Sequence, residues 1–351
     1  MTELPFRLDL IQFLADHRSA FLTDFFLLTT FIGDVGGYIL IIVAIYVLYD
    51  KRLAFRLAAV VLLTMCLNHL LKIVIKNPRP FIHEGTYVEK WAVSPDNARV
   101  LATEYSTPSG HAMGAAAFYS YLYAKLRDRS VRVIAILAIL LTGLSRPYLG
   151  VHYLEDVLIG WAIGIAIVVL AVRYEDAIQR RWSELSSAAQ ALAVVAASVL
   201  LWSVTIALNG WTIGEQPRAF LTYTGFLAGI VIGAPLERRH VGFDPRSSTV
   251  LAKMLRYALS VASVLITLLV LDRLFDALAE DSTLLGQVLR YVRYALAGVA
   301  ATYGAPLLFT RVGWAEKRAA NSSLVGLRYG RGFAGTPSFS AKKRKVSGHQ
   351  Q

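Results

Sequence analysis

Long apolar stretches recur through most of the chain and constrain its fold more than any other feature. A helix needs about 20 mostly apolar residues to cross a bilayer. Stretches of this kind lie at 25–49, 53–75, 109–125, 132–149, 153–173, 188–208, 219–236, 254–272 and 290–310. They predict an all-α, polytopic membrane helix bundle with about nine transmembrane helices. The composition agrees, because 56% of the residues are hydrophobic and 17% are charged, whereas soluble domains are roughly 45–50% apolar.

The distribution of Lys and Arg predicts the orientation in the membrane. The chain carries a net charge of +12, and the connections near residues 50–56, 125–132, 173–181 and 238–256 are rich in basic residues. Such connections are typically cytoplasmic. The C-terminus is then cytoplasmic and the opposite face looks into the periplasm or the exterior, as in a bacterial-type inner membrane. In this setting the positive charge favours anionic membrane lipids as partners and not nucleic acid.

The same pattern divides the chain into four segments. Residues 1–21 alternate apolar and charged positions and are predicted to form an amphipathic segment at the membrane interface. Residues 22–187 hold the polar motifs described below, and residues 188–311 supply additional transmembrane helices. Residues 312–351, which are rich in Gly, Ser, Lys and Arg, are expected to form a flexible basic cytoplasmic tail. The oligomeric state is left open.

Three polar clusters fall at the predicted outer ends of these helices. The clusters are "KIVIKNPRP" with Lys72 and Arg79, "TPSGHA" with Ser109, Gly110 and His111, and "SRPYLGVHYLED" with Arg146, His152 and Asp156. Ionisable residues within membrane segments are costly, which favours a functional interpretation. The coincidence of all three clusters on one face strengthens it.

Two histidines carry the predicted chemistry. His152 and Asp156 are four residues apart, so a helix places them one turn apart on one face. The carboxylate can then accept a hydrogen bond from Nδ1 and leave Nε2 free as a base or nucleophile. His111, in the first turn of a helix, suits proton exchange near neutral pH. The residues alone do not decide which histidine is the nucleophile, although the Asp156 partner favours His152.

The surrounding donors predict a phosphoryl-binding site. Three fixed cations and the backbone at a helix start converge, namely Lys72, Arg79 and Arg146 with the N–H groups of Ser109 and Gly110. Such a set matches the charge that gathers on the oxygens of a transferring phosphoryl group. The predicted outer side has no set of Asp, Glu and His with metal-ligand spacing, so the site is expected to be metal-free and to need no cofactor.

Further polar residues lie close to these clusters. Asp34, in "FIGDVGG", falls in the outer half of the first predicted span. It can pair with a cation of the site or bind nearby backbone, and a direct catalytic role is not expected. Asn68 and His69 lie one turn before Lys72. A polar contact to a neighbouring helix is favoured over a role in holding Lys72.

The three clusters together resemble the signature of the type 2 phosphatidic acid phosphatases (PAP2), a superfamily that also includes glucose-6-phosphatase and the vanadium haloperoxidases. The signature is K-x6-R-P, then P-S-G-H, then S-R-x5-H-x3-D, and every spacing is matched over roughly residues 22–175. The resemblance implies that His152 is the nucleophile, that Asp156 orients it, and that His111 serves as acid and then base. It implies phosphoryl binding by the cations and backbone named above.

The resemblance leaves the substrate open. The layout of nine spans with the N-terminus outside is similar to that of glucose-6-phosphatase, whereas many bacterial lipid phosphatases of the superfamily have about six spans. We favour a phosphorylated lipid as substrate, a phosphate monoester or pyrophosphate. The alternatives are a soluble sugar phosphate, transfer of a phospho-headgroup to another lipid, and a non-enzymatic transporter or scaffold with a degenerate site.

Overall fold

The computed structural model describes residues 4–82, 105–208, 210–211, 218–246 and 248–316. Within these residues the regular structure is helical, with a short 3-10 helix over Pro80–Ile82 and a π-helical turn over Ala300–Gly304. The α-helices are α1 Asp9–Asp16, α2 Ala20–Ile32, α3 Val35–Leu48, α4 Lys51–Ile75, α5 Gly110–Lys125, α6 Arg129–Tyr148, α7 Leu154–Glu184, α8 Ser187–Leu208, α9 Arg218–His240, α10 Val250–Asp276, α11 Leu284–Val299 and α12 Ala305–Arg311.

Six of the described helices are long and apolar enough to cross a membrane, and α2 with α3 would make a seventh if this bent pair is one span. The six lie in α4, α6, α7, α8, α9 and α10. The all-α polytopic fold is thereby confirmed. The count of about nine stays a prediction, because α5 and α11 have 16 residues each and a straight crossing takes about 20.

The first predicted span, 25–49, is not one continuous helix. It is replaced by α2 and α3, which meet at Gly33 and Asp34 and are bent by 50° relative to each other. Gly33 packs so closely on α6 that an added Cβ would lie 2.1 Å from the side chain of Thr142. The break lets α2 pack on α6 while α3 packs on α4 and α10. The hydropathy pattern did not reveal it, because the residues on both sides are apolar.

Helix α5 is the centre of the half of the bundle that holds the motifs. It contacts α4, α6 and α7, and small residues let these helices approach closely. A Cβ added to Gly164 of α7 would lie 2.5 Å from the carbonyl oxygen of Met113. Residues such as Ala115, Ala116 and Phe118 are fully buried. This packing fixes the start of α5 against the start of α7, where the second and third clusters lie.

The later helices form a second packed unit around α9 and α11. Glycines on α9 lie against the backbone of α11, and a Cβ added to Gly229 would lie 2.0 Å from the carbonyl oxygen of Ala295. Close approach through small residues is a common way for membrane helices to associate. The unit joins the first half through contacts of α9 with α4 and of α10 with α3. The hydroxyl of Tyr46 also donates to the carbonyl of Thr302, in the π-helical turn, at 2.7 Å.

Candidate active site

The first cluster lies where α4 ends. Lys72 is in the last turn of α4, and Lys76 follows the helix in the left-handed conformation with a φ of 53°. This turn brings Arg79 into the interior, where only 2% of it is exposed. Its Nη1 donates to the carbonyl of Val151 at 3.1 Å and to Nε2 of His152 at 3.2 Å. The first cluster therefore meets the third directly.

The second cluster begins α5, but one of its groups is used differently from the prediction. Ser109 caps the helix through its side chain, and its backbone N–H donates to the carbonyl of Asp156 at 3.1 Å. That N–H joins α5 to α7 and does not face an open site, which corrects the phosphate-binding role predicted for it. The described residues provide no hydrogen-bond acceptor for the N–H groups of Gly110 and His111. These two remain candidates for binding an anion.

The third cluster joins the end of α6 to the start of α7. Arg146 is 4% exposed, and its Nη1 donates to the hydroxyl of Thr30 on α2 at 3.3 Å. Its buried Nε has no hydrogen-bond partner among the described residues. Because the positive charge of Arg79 also acts on Arg146, this guanidinium is suited to receive an anion from outside the protein.

His152 and Asp156 form the pair that their spacing predicts. Both are buried, and Nδ1 of His152 lies 3.4 Å from Oδ2 of Asp156. Since Arg79 donates to Nε2, that nitrogen holds a lone pair and the proton is on Nδ1. Asp156 also accepts from the backbone N–H of Tyr153 at 3.0 Å. This is the tautomer that a nucleophilic Nε2 requires.

Two hydroxyl residues that sequence reasoning missed complete this pair. Ser106 and Thr107 each donate to one oxygen of Asp156, and Ser106 also lies 3.2 Å from Nδ1 of His152. The amide of Asn77 contacts the hydroxyl of Thr107 at 2.9 Å. The available signal was their position immediately before the P-S-G-H motif. Serine and threonine are too common in loops for that signal to stand out.

Electrostatic interactions connect the three clusters into one centre. His111 interacts with His152 and with the cations of Lys72, Arg79 and Arg146. Its side chain is 28% exposed, whereas His152 lies fully inside. The structure thus brings together both histidines and all three predicted cations at one end of the bundle.

The environment of His152 sets its protonation state. His152 lies between α6 and α7, outside the helices that can span a membrane. Burial, followed by the cations of Arg79, Lys72 and Arg146, lowers the pKa of His152 well below its usual range, and a hydrogen bond with Ser106 acts in the opposite direction. The ring is therefore neutral at neutral pH, and Nε2 is available to attack.

Other predicted positions have simpler roles. Asn68 donates to the carbonyl of Pro108 at 3.0 Å and contacts the sulfur of Met113, so it holds the turn before α5 and makes the favoured contact to a neighbouring helix. His69 packs its ring edge-on against Phe220 of α9. The part of the chain that the structure describes contains no group of three His, Cys, Asp or Glu side chains placed to hold a metal ion. The predicted basic tail lies outside the described residues from 317 onward.

Fold and site together define a polytopic membrane protein with a buried cationic centre built around two histidines. The family model described as "PAP2 superfamily" matches residues 53–180. The model described as "PAP2 superfamily phosphatase, transmembrane extension" matches residues 221–317. The chain belongs to the PAP2 superfamily. The matches confirm the family predicted from the motifs. They also extend the resemblance beyond residue 175, where the sequence pattern had ended it.

Similarity to individual proteins covers part of the chain. Phosphatidylglycerophosphatase B of Bacillus subtilis (strain 168) is 34% identical over 98 residues, covering 25% of this chain and 48% of that protein. Glucose-6-phosphatase 3 of Bos taurus is 29% identical over 217 residues, covering 56% and 61%. The crystal structure of Aquifex aeolicus LpxE covers 50% of this chain and 100% of its own, with 20% identity and a TM-score of 0.41. The chain thus spans about half the length of the curated relatives it matches.

Proposed function

We propose that this protein is an integral membrane phosphatase that hydrolyses a phosphate monoester or pyrophosphate of a lipid through a phosphohistidine intermediate, with its site at the periplasmic or exterior face. The observation that carries the proposal is the buried His152. Its Nε2 holds a lone pair next to Arg79, and its Nδ1 is backed by Asp156. A neutral, oriented imidazole among cations is suited to attack phosphorus.

The reaction has two steps on these residues. In the first, Nε2 of His152 forms a bond to phosphorus, the bond from phosphorus to the ester oxygen breaks, and His111 gives its proton to the leaving oxygen. In the second, His111 takes a proton from water, the water oxygen attacks phosphorus, and the bond from phosphorus to Nε2 breaks. Inorganic phosphate leaves, and both imidazoles return to their starting states.

The cations stabilise the charge that moves in both steps. Arg146 offers Nε and Nη donors, and Lys72 and Arg79 are two further cations that act on both histidines. The N–H groups of Gly110 and His111 add backbone donors at the start of α5. Donors that are already in place when charge develops are usually the largest contribution to catalysis.

A lipid substrate is favoured by what surrounds the site. The site lies at the ends of helices that can span a membrane, which is the depth of lipid headgroups. Helix α1 and the start of α2 pack beside it, since Nε of Arg18 donates to the carbonyl of Tyr148 at 2.9 Å. These segments expose large apolar side chains, including 58% of Phe13 and 78% of Phe21. An apolar wall next to a cationic site suits a substrate with an acyl or isoprenoid chain.

The second candidate is a phosphatase for a soluble sugar phosphate, which the match to glucose-6-phosphatase 3 supports. A phosphate-release screen decides between them. Purified protein is given phosphatidate, phosphatidylglycerophosphate, a polyprenyl pyrophosphate and glucose 6-phosphate side by side, with His152→Ala as the blank. We expect release from a lipid, no loss of activity with a chelator, and no activity in the variant. Preferred release from glucose 6-phosphate would overturn the lipid assignment, and reversible loss with a chelator would overturn the metal-free mechanism.

The orientation in the membrane can be tested by cysteine labelling. The chain has one cysteine, Cys66, which is buried, so a cysteine-free background needs a single substitution. In a Cys66→Ala background, a cysteine is placed at exposed position 17 or at exposed position 129. We expect a membrane-impermeant maleimide to label His17→Cys in intact cells and to label Arg129→Cys only after lysis. The reverse pattern would place the site on the cytoplasmic side.

A further inference from the structure

The break between α2 and α3 carries a carboxylate that the proposed mechanism does not use. Asp34 is at the N-cap position of α3, where an Asp side chain usually accepts from a backbone N–H of the first turn. In this structure it makes no such hydrogen bond. The side chain of Asp34 therefore does not cap α3, although the backbone at Asp34 has the extended geometry of a cap residue.

The carboxylate of Asp34 faces the active site instead. Its Oδ1 lies 3.8 Å from Nε2 of His111, and it also interacts electrostatically with Arg146. The distance is longer than a hydrogen bond and within the reach of an ion pair, about 4 Å. Asp34 is thus the carboxylate on the His111 side of the centre, as Asp156 is on the His152 side.

The break itself is built to hold this carboxylate in place. The contact of Gly33 with Thr142 leaves no room for a side chain, and Thr142 lies one turn before Arg146 on α6. At Gly37 an added Cβ would lie 2.4 Å from the carbonyl oxygen of Phe31, so the bend also depends on glycine on its other side. Two glycines that tolerate no side chain therefore fix Asp34 opposite His111.

We propose that Asp34 is a positioning residue that stabilises the protonated form of His111 for its role as the general acid. This inference rests on the proposed function. An imidazolium carries two N–H groups, so one can face Asp34 while the other gives its proton to the leaving oxygen. Asp34 provides a negative charge against the groups that oppose protonation of His111, namely Lys72 from α4, Arg79 from the following segment, Arg146 from α6 and His152 from the loop before α7.

Removal of this charge has a specific kinetic signature. A lipid phosphate has a poor alkoxide leaving group that needs a proton, whereas p-nitrophenyl phosphate has a good one that does not. We expect Asp34→Asn to lower kcat/KM for the lipid about tenfold, equivalent to one unit of pKa, and to leave kcat/KM for p-nitrophenyl phosphate within about twofold. The alkaline limb of the lipid profile should move to lower pH, because the imidazolium loses its proton more readily.

Two further variants separate this role from a structural one. Asp34→Glu keeps the charge and should restore most of the lipid activity. Asp24→Asn removes an exposed carboxylate from α2, outside the site, and should behave as wild type. An equal loss for both substrates in Asp34→Asn would overturn the proposal, because it would mean that Asp34 acts on phosphate binding or on folding. Unchanged kinetics for both substrates would overturn it as well.

A measurement without substrate keeps the test independent of the proposed function. Diethyl pyrocarbonate modifies neutral imidazole, and peptide mass spectrometry reports the rate at each histidine. As the pH is lowered, we expect the rate at His111 to decline at a lower pH in Asp34→Asn than in wild type, with exposed His17 as the internal reference. An unchanged rate at His111 overturns the inference. Failure of wild type to release phosphate from any substrate, with a changed rate at His111, overturns the proposed function alone.

Discussion

The two halves of the molecule treat a buried arginine in different ways. Arg146 in the first half and Arg293 in the second are 4% and 5% exposed. Arg293 is ion-paired with Asp272 and lies 3.8 Å from Asp276. Arg146 donates to a hydroxyl, and the charge of Arg79 acts on it more strongly than that of Asp34. Arg293 is neutralised by carboxylates of the protein and stabilises the fold. Arg146 is placed near like charge and is suited to bind an external anion.

The same contrast extends to neighbouring residues. In the later helices Arg290 pairs with Asp281, and Glu237 of α9 binds Lys51 at 2.7 Å. Lys72, Arg79 and Arg146 all act electrostatically on His111 and His152, and Arg79 also acts on Arg146. This concentration of positive charge is costly unless an anion is bound. Ionic pairs of the first kind hold helices together. The second arrangement gives up stability for binding, which is typical of functional sites.

The sharpest way to test this contrast is to remove the guanidinium from the active site. We expect Arg146→Gln to lower kcat/KM by about 100- to 1,000-fold, the effect typical of losing one donor to a developing anion, without loss of folding. Steady-state phosphate release and the midpoint of thermal unfolding in detergent measure the two effects. A large fall in the midpoint together with the activity would mean that Arg146 is structural and would remove the contrast.

The matched change in the other half should do the opposite. Arg293→Gln leaves Asp272 and Asp276 without their cation, so we expect the free energy of unfolding to fall by about 1–3 kcal/mol while kcat/KM stays within about twofold. Chemical denaturation and phosphate release check this pair of outcomes. The double variant Arg293→Leu with Asp272→Leu should recover part of the stability. A strong loss of activity at constant stability would show that the later helices contribute to the site.

A smaller effect is expected from the hydroxyls on Asp156. Thr107→Val keeps the shape of the side chain and removes one hydrogen bond to the carboxylate. A hydrogen bond to a charged group contributes about 1.5–3 kcal/mol, so we expect kcat to fall about 10- to 100-fold. Thr64→Val, at a buried hydroxyl that bonds within α4, is the matched control and should be active. Equal activity in both variants would mean that Asp156 does not depend on Thr107.

The smallest expected effect is a shift in pH dependence. Nε2 must be neutral to attack, and the lowered pKa of His152 keeps it neutral. The acidic limb of kcat/KM should therefore lie below the ordinary histidine value of about 6.5. Lys72→Met removes one of the cations that lower this pKa, so the limb should move to higher pH. The same substrate in both proteins cancels the titration of the substrate phosphate, and a shift to lower pH would contradict the assignment.

The motif spacing predicted which residues come together, but it did not predict all of their hydrogen-bond partners. Lys72, Arg79 and Arg146 come together as predicted, because residues at the ends of packed helices share one end of a bundle. The hydrogen bond from Ser109 to Asp156 depends on how closely α5 approaches α7, which no local pattern contains. The hydroxyls of Ser106 and Thr107 were missed for the same reason, since their partner is some 50 residues away.

The fold shows the same limit. Hydropathy located the apolar helices, since membrane solvation depends on length and composition alone. It could not find the bend at Gly33, because the determining contact is with Thr142, more than 100 residues later. The glycines of α9 are likewise needed only because α11 packs closely against them. Local periodicity indicates which side of a helix faces lipid and which faces protein. Close approach of two backbones depends on residues of two helices that are far apart in the sequence.

The shortness of α5 has a consequence for the bilayer itself. Sixteen residues of α-helix rise about 24 Å, and the hydrocarbon layer is about 30 Å thick. If the other end of α5 sits at the level of its neighbours, the imidazole of His111 lies several ångströms beneath the plane of the surrounding glycerol groups. The protein then forms a shallow well, which under the proposed function would let the phosphate of a lipid enter without its hydrophobic chain having to leave the leaflet.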